Sequence, residues 1–215
     1  MATNTVSIDQ LTAWLSRFRD LVTEKRDYLT ELDSAIGDAD HGANMARGMG
    51  AVMEKLGGQS ASTVDELLKG VGMTLVTSVG GASGPLYGTL FLRMGMTAGA
   101  VTELDAAGLA AALRAGLEGI VARGKAEAGD KTMFDAMSPA VDAFDTAIAG
   151  GADLASAARS AADAAASGRE ATLPLVARKG RASYLGERSA GHIDPGAAST
   201  AILFDTLAAA IAGSS

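Results

Sequence analysis

The sequence predicts an all-α fold, and three observations carry that prediction. Apolar residues recur at three- and four-residue steps through most of the chain, no segment alternates with period two over a useful length, and the periodic stretches open at capping signals and stop at glycines. The 215 residues are enough for one substantial core, and no linker or shift in composition divides them, so a single domain over 1–215 is expected.

From Ser7, the residues Ile8, Leu11, Trp14, Leu15, Phe18, Leu21, Val22, Tyr28, Leu29 and Leu32 trace one long amphipathic helix, with Ser7 and Gln10 spaced as a capping box. A second helix is expected over 44–56 on Met45, Met49, Val52, Met53 and Leu56, ended by Gly57-Gly58, its methionines core rather than ligands. Thr63 and Glu66 repeat the capping-box pattern and open a third through Val64, Leu67, Leu68, Val71 and Leu75 to Gly80-Gly81. Pro85 suits the first position of a fourth, where its missing N–H would be unpaired anyway, ahead of Leu86, Leu90, Phe91 and Met94. A fifth spans 105–121. The sixth runs from Thr132 through Val141, Phe144 and Ile148, with Pro139 as a kink or a late first turn. Alanine dominates a seventh over 152–167, where Leu154, Ala157, Ala161 and Ala165 keep an apolar stripe. The eighth starts at Pro195 and carries Ala201, Ile202, Leu203, Leu207 and Ile211.

Composition excludes several function classes. Hydrophobic content is 48%, yet no apolar run approaches the roughly 18 residues that span a bilayer, and the N-terminus lacks the basic-then-apolar pattern of a signal peptide. A soluble, cytoplasmic protein with no membrane partner is expected. The absence of cysteine removes disulfides, thiolate catalysis and zinc-thiolate sites together. A net charge of −7 and an aromatic content of 4% argue against a nucleic-acid surface.

The chemistry is concentrated between the first two helices, in Asp33-Ser-Ala-Ile-Gly37-Asp38-Ala-Asp40-His41-Gly42-Ala43-Asn44. Unpaired carboxylates this close repel, so a hard cation supplies the reason for them, and Mg²⁺ is commonly held by a few carboxylates together with substrate phosphates. Two structural alternatives stand beside that reading. Asp40 could cap a helix that begins near Asn44, and Asp38-x-Asp40-x-Gly42 looks like the start of a calcium loop. The calcium loop fails at its twelfth position, Met49, where a bidentate Glu is needed.

Three further loops carry chemistry-bearing residues. Gly80-Gly81-Ala82-Ser83-Gly84-Pro85 offers backbone N–H groups and a hydroxyl at a helix start, which suits phosphate as well as it suits a tight turn. Gly124-Lys-Ala-Glu-Ala-Gly-Asp-Lys131-Thr132 is not a P-loop, because Asp130 interrupts the motif and no strand precedes it. Its basic residues fit solvated surface, and Asp130-Lys131-Thr132 at a helix start also fits a nucleotide contact. The segment from Arg178 to Gly196 joins cations, glycines and a helix start; Arg181 suits a phosphate or an exposed ion pair. His41 and His192 are the two histidines, each in a Gly/Asp-rich segment, as a structural hydrogen bonder or a site group. In an antiparallel bundle alternate loops fall at one end, so these four are expected to share one mouth.

At these residues the chain resembles the ADP-binding L subunits of bacterial dihydroxyacetone kinases, the DhaL family. The resemblance rests on Ile36-Gly-Asp-Ala-Asp-His-Gly-Ala-Asn44, Ser78-Val-Gly-Gly-Ala-Ser-Gly-Pro-Leu-Tyr-Gly88, the stretch from Gly124 to Met133, and Ala177-Arg-Lys-Gly-Arg-Ala-Ser-Tyr-Leu-Gly-Glu-Arg188 with Gly191-His-Ile-Asp-Pro-Gly196. It implies a barrel of eight antiparallel amphipathic helices with ADP or ATP at one end, joined to the aspartates through two Mg²⁺. Asp33, Asp38 and Asp40 match the family's metal ligands. His41, Gly42, Ala43 and Asn44 match its first nucleotide-binding stretch, and Ala82 and Ser83 its phosphate loop. Gly124 and Met133 match positions around the nucleotide, and Arg181, Asp194, Pro195 and Gly196 the closing contacts. Ile193 departs from the polar residue the family pattern leads one to expect.

The resemblance also implies function and partners. Single-chain ATP-dependent members place a substrate domain ahead of this one; with nothing before Met1, the chain looks like the phosphotransferase-system type. There a phosphohistidine of an M subunit phosphorylates retained ADP, and the phosphoryl group passes to dihydroxyacetone on a K subunit. A transcriptional regulator as a further partner and a homodimer are also expected. The alternatives are the nucleotide subunit of an ATP-dependent ketose kinase and a nucleotide-sensing regulatory module.

Overall fold

Ser7 caps α1 (Ile8–Glu24) as its spacing predicts: its hydroxyl accepts from the Gln10 N–H at 3.2 Å while the Gln10 side chain accepts from the Ser7 N–H at 3.0 Å. The single long helix expected from there divides. At Lys25 the backbone turns to φ −91°, ψ 15°, and α2 (Arg26–Ile36) starts afresh. Residues 23–28 are exposed without interruption, so no buried side chain ties the two halves into one rod. The computed structural model describes residues 4–58 and 61–213. Met1, from which the expectation about chain length was drawn, lies outside them.

Other element ends shift for local reasons. α3 (His41–Gly58) begins three residues before the expected start, because Asp33 at the end of α2 accepts from the N–H groups of Asp40 and His41 at 2.8 and 3.1 Å. The predicted capping box before α4 (Val64–Ser78) does not form: the Thr63 hydroxyl donates to Asp65 at 2.6 Å, and Glu66 accepts from the Ser62 N–H at 2.9 Å. α5 (Ser83–Ala98) starts at Ser83, which makes Pro85 its third residue rather than its first; any N–H of the first turn lacks a helical partner, so proline is tolerated there too.

A two-stranded antiparallel ladder escapes the periodicity argument. β1 (Thr5–Ser7) pairs with β2 (Glu103–Asp105) in the register Thr5–Asp105, Val6–Leu104, Ser7–Glu103, and three residues are too few to display alternation. Asp105 then caps α6 (Ala106–Gly124) through the Gly108 N–H at 2.7 Å. α7 (Phe134–Ala149) contains Pro139 in its interior. The Asp135 carbonyl, which proline leaves without a helical donor, lies against Gly168 of α8 (Leu154–Ala171), where a Cβ would stand 2.3 Å from it. A 3-10 segment (Arg181–Ser189), not expected from the sequence, precedes α9 (Pro195–Ile211), which starts at Pro195 as predicted and is capped by Asp194 through the Ala197 N–H at 2.7 Å.

The helices are therefore the bulk of the described structure, and the all-α prediction holds. Their packed neighbours run α1–α3–α4–α5–α6–α7–α8–α9, and α9 returns to α1. α9 is apolar and buried almost all round, with Asp205 its exposed residue, paired to Arg159 at 3.3 Å. Trp14 of α1 is buried against Phe91 and donates its indole N–H to the Leu203 carbonyl of α9 at 2.9 Å, which fixes the two helices in depth as well as in angle. Among the described residues no helix is long and apolar enough to cross a membrane.

Candidate functional site

The loops α2–α3, α4–α5, α6–α7 and α8–α9 line one cavity of about 310 Å³, a size suited to a small-molecule ligand. Asp33, Asp38, Asp40 and His41 come from the first loop; Ala82 and Ser83 from the second; Gly124 and Met133 from the third; Arg181, Asp194, Pro195 and Gly196 from the fourth. Gly42, Ala43 and Asn44 are placed differently. Ala43 is exposed, and Gly42 packs against α2, where a Cβ would stand 2.0 Å from the Arg26 carbonyl oxygen. Asn44 is buried and accepts from Arg47 at 2.5 Å, and none of these three lines the cavity.

Within the first loop the carboxylates divide their work. One oxygen of Asp33 caps α3, whereas Asp38 and Asp40 make no hydrogen bond to backbone among the described residues. Asp40 thus does not cap α3 with its side chain. One ligand oxygen from each of the three lies within 4.8 Å of the others, a spacing and donor set that fit a hard divalent cation. Gly37 makes room for this: a Cβ there would stand 2.0 Å from Asp33 Oδ1. Ala39, between the other two aspartates, sits in the left-handed region at φ 61°, a conformation that costs a non-glycine residue about 1 kcal/mol or more. Among the described residues the one ion pair to the cluster is Arg181 with Asp38 at 3.0 Å, exposed at the rim.

The second loop ends in an uncapped helix. Among the described residues no side chain caps α5, and Ala82 and Ser83 at its start line the cavity, so the N–H groups of this helix end are placed to meet an anion. Gly81 takes φ +64° to make the turn into it. The Ser83 hydroxyl lies 3.1 Å from His41 Nδ1, and His41 Nε2 lies 2.9 Å from Ser199 Oγ of α9. Burial lowers the His41 pKa although Asp33 and Asp40 raise it, a shift that favours the neutral ring.

The third and fourth loops are tied together by Lys131. It is neither solvated surface nor a free cation for a ligand: the residue is 1% exposed, and its ammonium donates to the carbonyls of Thr172 (2.6 Å) and His192. Burial lowers its pKa, opposed by Asp194 and Asp135. Asp135 closes the third loop by accepting from the N–H groups of Gly129 and Thr132 at 2.6 and 2.8 Å. Thr172 accepts from the Asp194 N–H at 3.0 Å, and Ile193 packs half-buried against the core, which accounts for an apolar residue in that turn. Sequence reasoning missed Tyr87, Lys131 and Ser199 as organisers. The signal available for Ser199 was a Ser-Thr pair inside the apolar run of the last helix.

Burial pushes the Asp194 carboxyl up to about 7 from its ordinary 3.8, with the Ala197 N–H and Lys131 opposing and Asp135 and Asp33 adding to the rise. The folded state therefore holds this proton more tightly than the unfolded chain, and the stability it contributes is lost as pH rises from about 4 towards 7. Asp194→Asn keeps the cap and removes the charge. In the ligand-free protein it should gain several degrees in Tm near pH 8 and almost nothing near pH 4, as thermal unfolding at the two pH values will show.

Residues 35–209 match the DAK2 domain family. The chain is 45% identical to the ADP-binding subunit DhaL of the PEP-dependent dihydroxyacetone kinase of Escherichia coli, over 95% of this chain and 98% of that one. It is 46% identical to the DhaL subunit of the PTS-dependent kinase of Lactococcus lactis, over 96% and 100%. Among solved structures, the dihydroxyacetone kinase of C. freundii in complex with AMP-PNP and Mg²⁺ is similar in fold, with a TM-score of 0.69 and 28% identity. That likeness covers 91% of this chain and 32% of the longer kinase chain. With the family matched over most of its length and DhaL subunits matched over nearly all of theirs, the chain belongs to the DAK2 domain family.

Proposed function

We propose that this chain is the nucleotide-carrying subunit of a dihydroxyacetone kinase. Bound ADP takes a phosphoryl group from a phosphohistidine of the M subunit, breaking the P–N bond as a P–O bond forms on the β-phosphate. The same group then leaves as the hydroxyl oxygen of dihydroxyacetone, held by the K subunit, bonds to phosphorus and gives dihydroxyacetone phosphate. The observation that carries this reading is the meeting of three carboxylates and an uncapped helix N-terminus in one cavity. Extensive identity to DhaL subunits supports the partner scheme, and a cytoplasmic location goes with it.

Phosphoryl transfer asks a protein chiefly to position phosphates and offset charge. Asp33, Asp38 and Asp40 would hold magnesium, two ions by family resemblance, which when bound neutralises phosphate charge. The amides near Ala82 and Ser83 orient a phosphate, and Arg181, now paired with Asp38, stands at the rim where it can turn to one. Gly124, Met133, Asp194, Pro195 and Gly196 form the rest of the nucleotide wall, beside the stretch from His41 to Asn44. No side chain is assigned as a general base, since the acceptor hydroxyl lies on another protein.

A kinase structure with bound AMP-PNP favours one second reading, direct use of exchangeable ATP. Reconstitution separates the two. With purified K and M subunits, turnover should run from phosphoenolpyruvate through the phosphotransferase proteins. Turnover with ATP alone, and none through that chain, would overturn the first reading.

A further inference from the structure

From the cavity wall inward, five polar side chains cross an otherwise apolar core in a single file. Thr200 Oγ1 lies 3.3 Å from the Tyr87 hydroxyl, Tyr87 lies 2.8 Å from Ser199 Oγ, Ser199 lies 2.9 Å from His41 Nε2, and His41 Nδ1 lies 3.1 Å from Ser83 Oγ. Tyr87, Ser199 and Thr200 are all buried, and Tyr87 is held in place by Phe18 at a centroid distance of 6.2 Å. Such groups are retained in a core when each donor finds an acceptor, so the direction of the file can be worked out by counting protons.

Read outward from the core, every proton is used. Thr200 donates to Tyr87, Tyr87 to Ser199, Ser199 to His41 Nε2, and His41 Nδ1–H to Ser83. Ser83 then keeps its own proton free for the cavity. Read wholly inward, from Ser83 to Thr200, the Thr200 hydroxyl ends with no acceptor among the hydrogen bonds of the described residues. A mixed arrangement remains: Ser199 donates to the Gly196 carbonyl at 3.1 Å and accepts from His41 Nε2–H, so that Nδ1 is bare and takes the Ser83 proton. The Gly196 carbonyl does not need that bond, because it lies in the first turn of α9 with the Thr200 N–H as its i+4 partner. A phosphate oxygen only accepts, so an anion at Ser83 selects the outward direction.

We propose that Ser199, backed by Tyr87, is a positioning residue: by donating to His41 Nε2 it places the imidazole proton on Nδ1 and leaves the Ser83 hydroxyl free to donate to a phosphate oxygen of the bound nucleotide. This deepens the phosphotransfer reading and rests on it. It assigns work to a serine that touches neither nucleotide nor metal, and it makes His41 a transmitter of hydrogen-bond direction.

The chain has two histidines, so a protein labelled with ¹⁵N-histidine gives two sets of ring signals, separated by comparison with His192→Gln. In the wild type with Mg²⁺ and ADP, His41 should be the Nδ1–H tautomer; an Nε2–H tautomer in that complex overturns the proposal. In Ser199→Ala the Nε2–H form should appear, and Tyr87→Phe should move the population the same way. Ser83→Ala and Ser199→Ala should each weaken ADP binding about tenfold, and the double variant should lose no more than either alone. Losses that multiply, or a lower Tm in Ser199→Ala with an unchanged tautomer, would mark Ser199 as structural only and overturn the proposal. Failure of the wild type to bind Mg²⁺-ADP at all would instead remove the phosphotransfer reading beneath it.

Discussion

Asp38→Ala should abolish magnesium-dependent retention of ADP while leaving the ligand-free protein nearly as stable as before. The aspartate is at the rim, it is paired with an exposed Arg181, and pairs of that kind contribute little to folding. Its value lies in the cation shared with Asp33 and Asp40. With ADP near a hundred times its Kd, bound ligand adds about 2.7 kcal/mol to a protein's stability, or roughly 5–10 °C in Tm at this size. Thermal unfolding with and without Mg²⁺-ADP should show that increment in the wild type and not in Asp38→Ala. An equal ligand-induced rise in the variant would remove Asp38 from the metal site. Asp33→Ala is a poorer probe, because Asp33 also caps α3 and the loss would mix folding with binding.

The second large effect is expected at Lys131. Lys131→Met keeps the buried stem and deletes the ammonium that holds the Thr172 and His192 carbonyls. A buried acceptor on Thr172 and a half-buried one on His192 then lose a charged donor, and Asp194 and Asp135 lose a compensating cation, for a cost of about 3 kcal/mol, read as a lower urea midpoint at unchanged slope. The third and fourth loops should separate together, so ADP affinity should fall along with stability. Arg is not expected to rescue, since its planar fork does not fit a site shaped for a compact ammonium. A Lys131→Met protein with wild-type stability would show that the loops are joined by other contacts.

Much of this was legible in the sequence, for identifiable reasons. The Ser7 capping box and the Asp194-Pro195 helix start act through neighbours three residues away or fewer, and local chemistry is what sequence displays. Asp33, Asp38 and Asp40 pointed to a cation because unpaired carboxylates this close repel, and the alternation of helices and loops brought the four chemical loops to one cavity. What stayed hidden depends on partners distant in the chain. The helix break at Lys25 reflects which residues the rest of the molecule covers; the Thr63 box is the local exception, its hydroxyl taken by Asp65 two residues on. The early start of α3 depends on a cap supplied by α2. Lys131 looks like any exposed lysine until two carbonyls 41 and 61 residues away close over it. Ser199 meets His41 across 158 residues, and a Ser-Thr pair in an apolar run was its one local sign.

Native mass spectrometry of the purified wild-type chain tests the central claim most directly, with Mg²⁺ and ADP supplied and then with the divalent cation chelated. About one ADP per chain should be retained with Mg²⁺ and lost on chelation, as a nucleotide anchored through the aspartates requires. ADP bound equally well in both conditions, or in neither, would contradict the account.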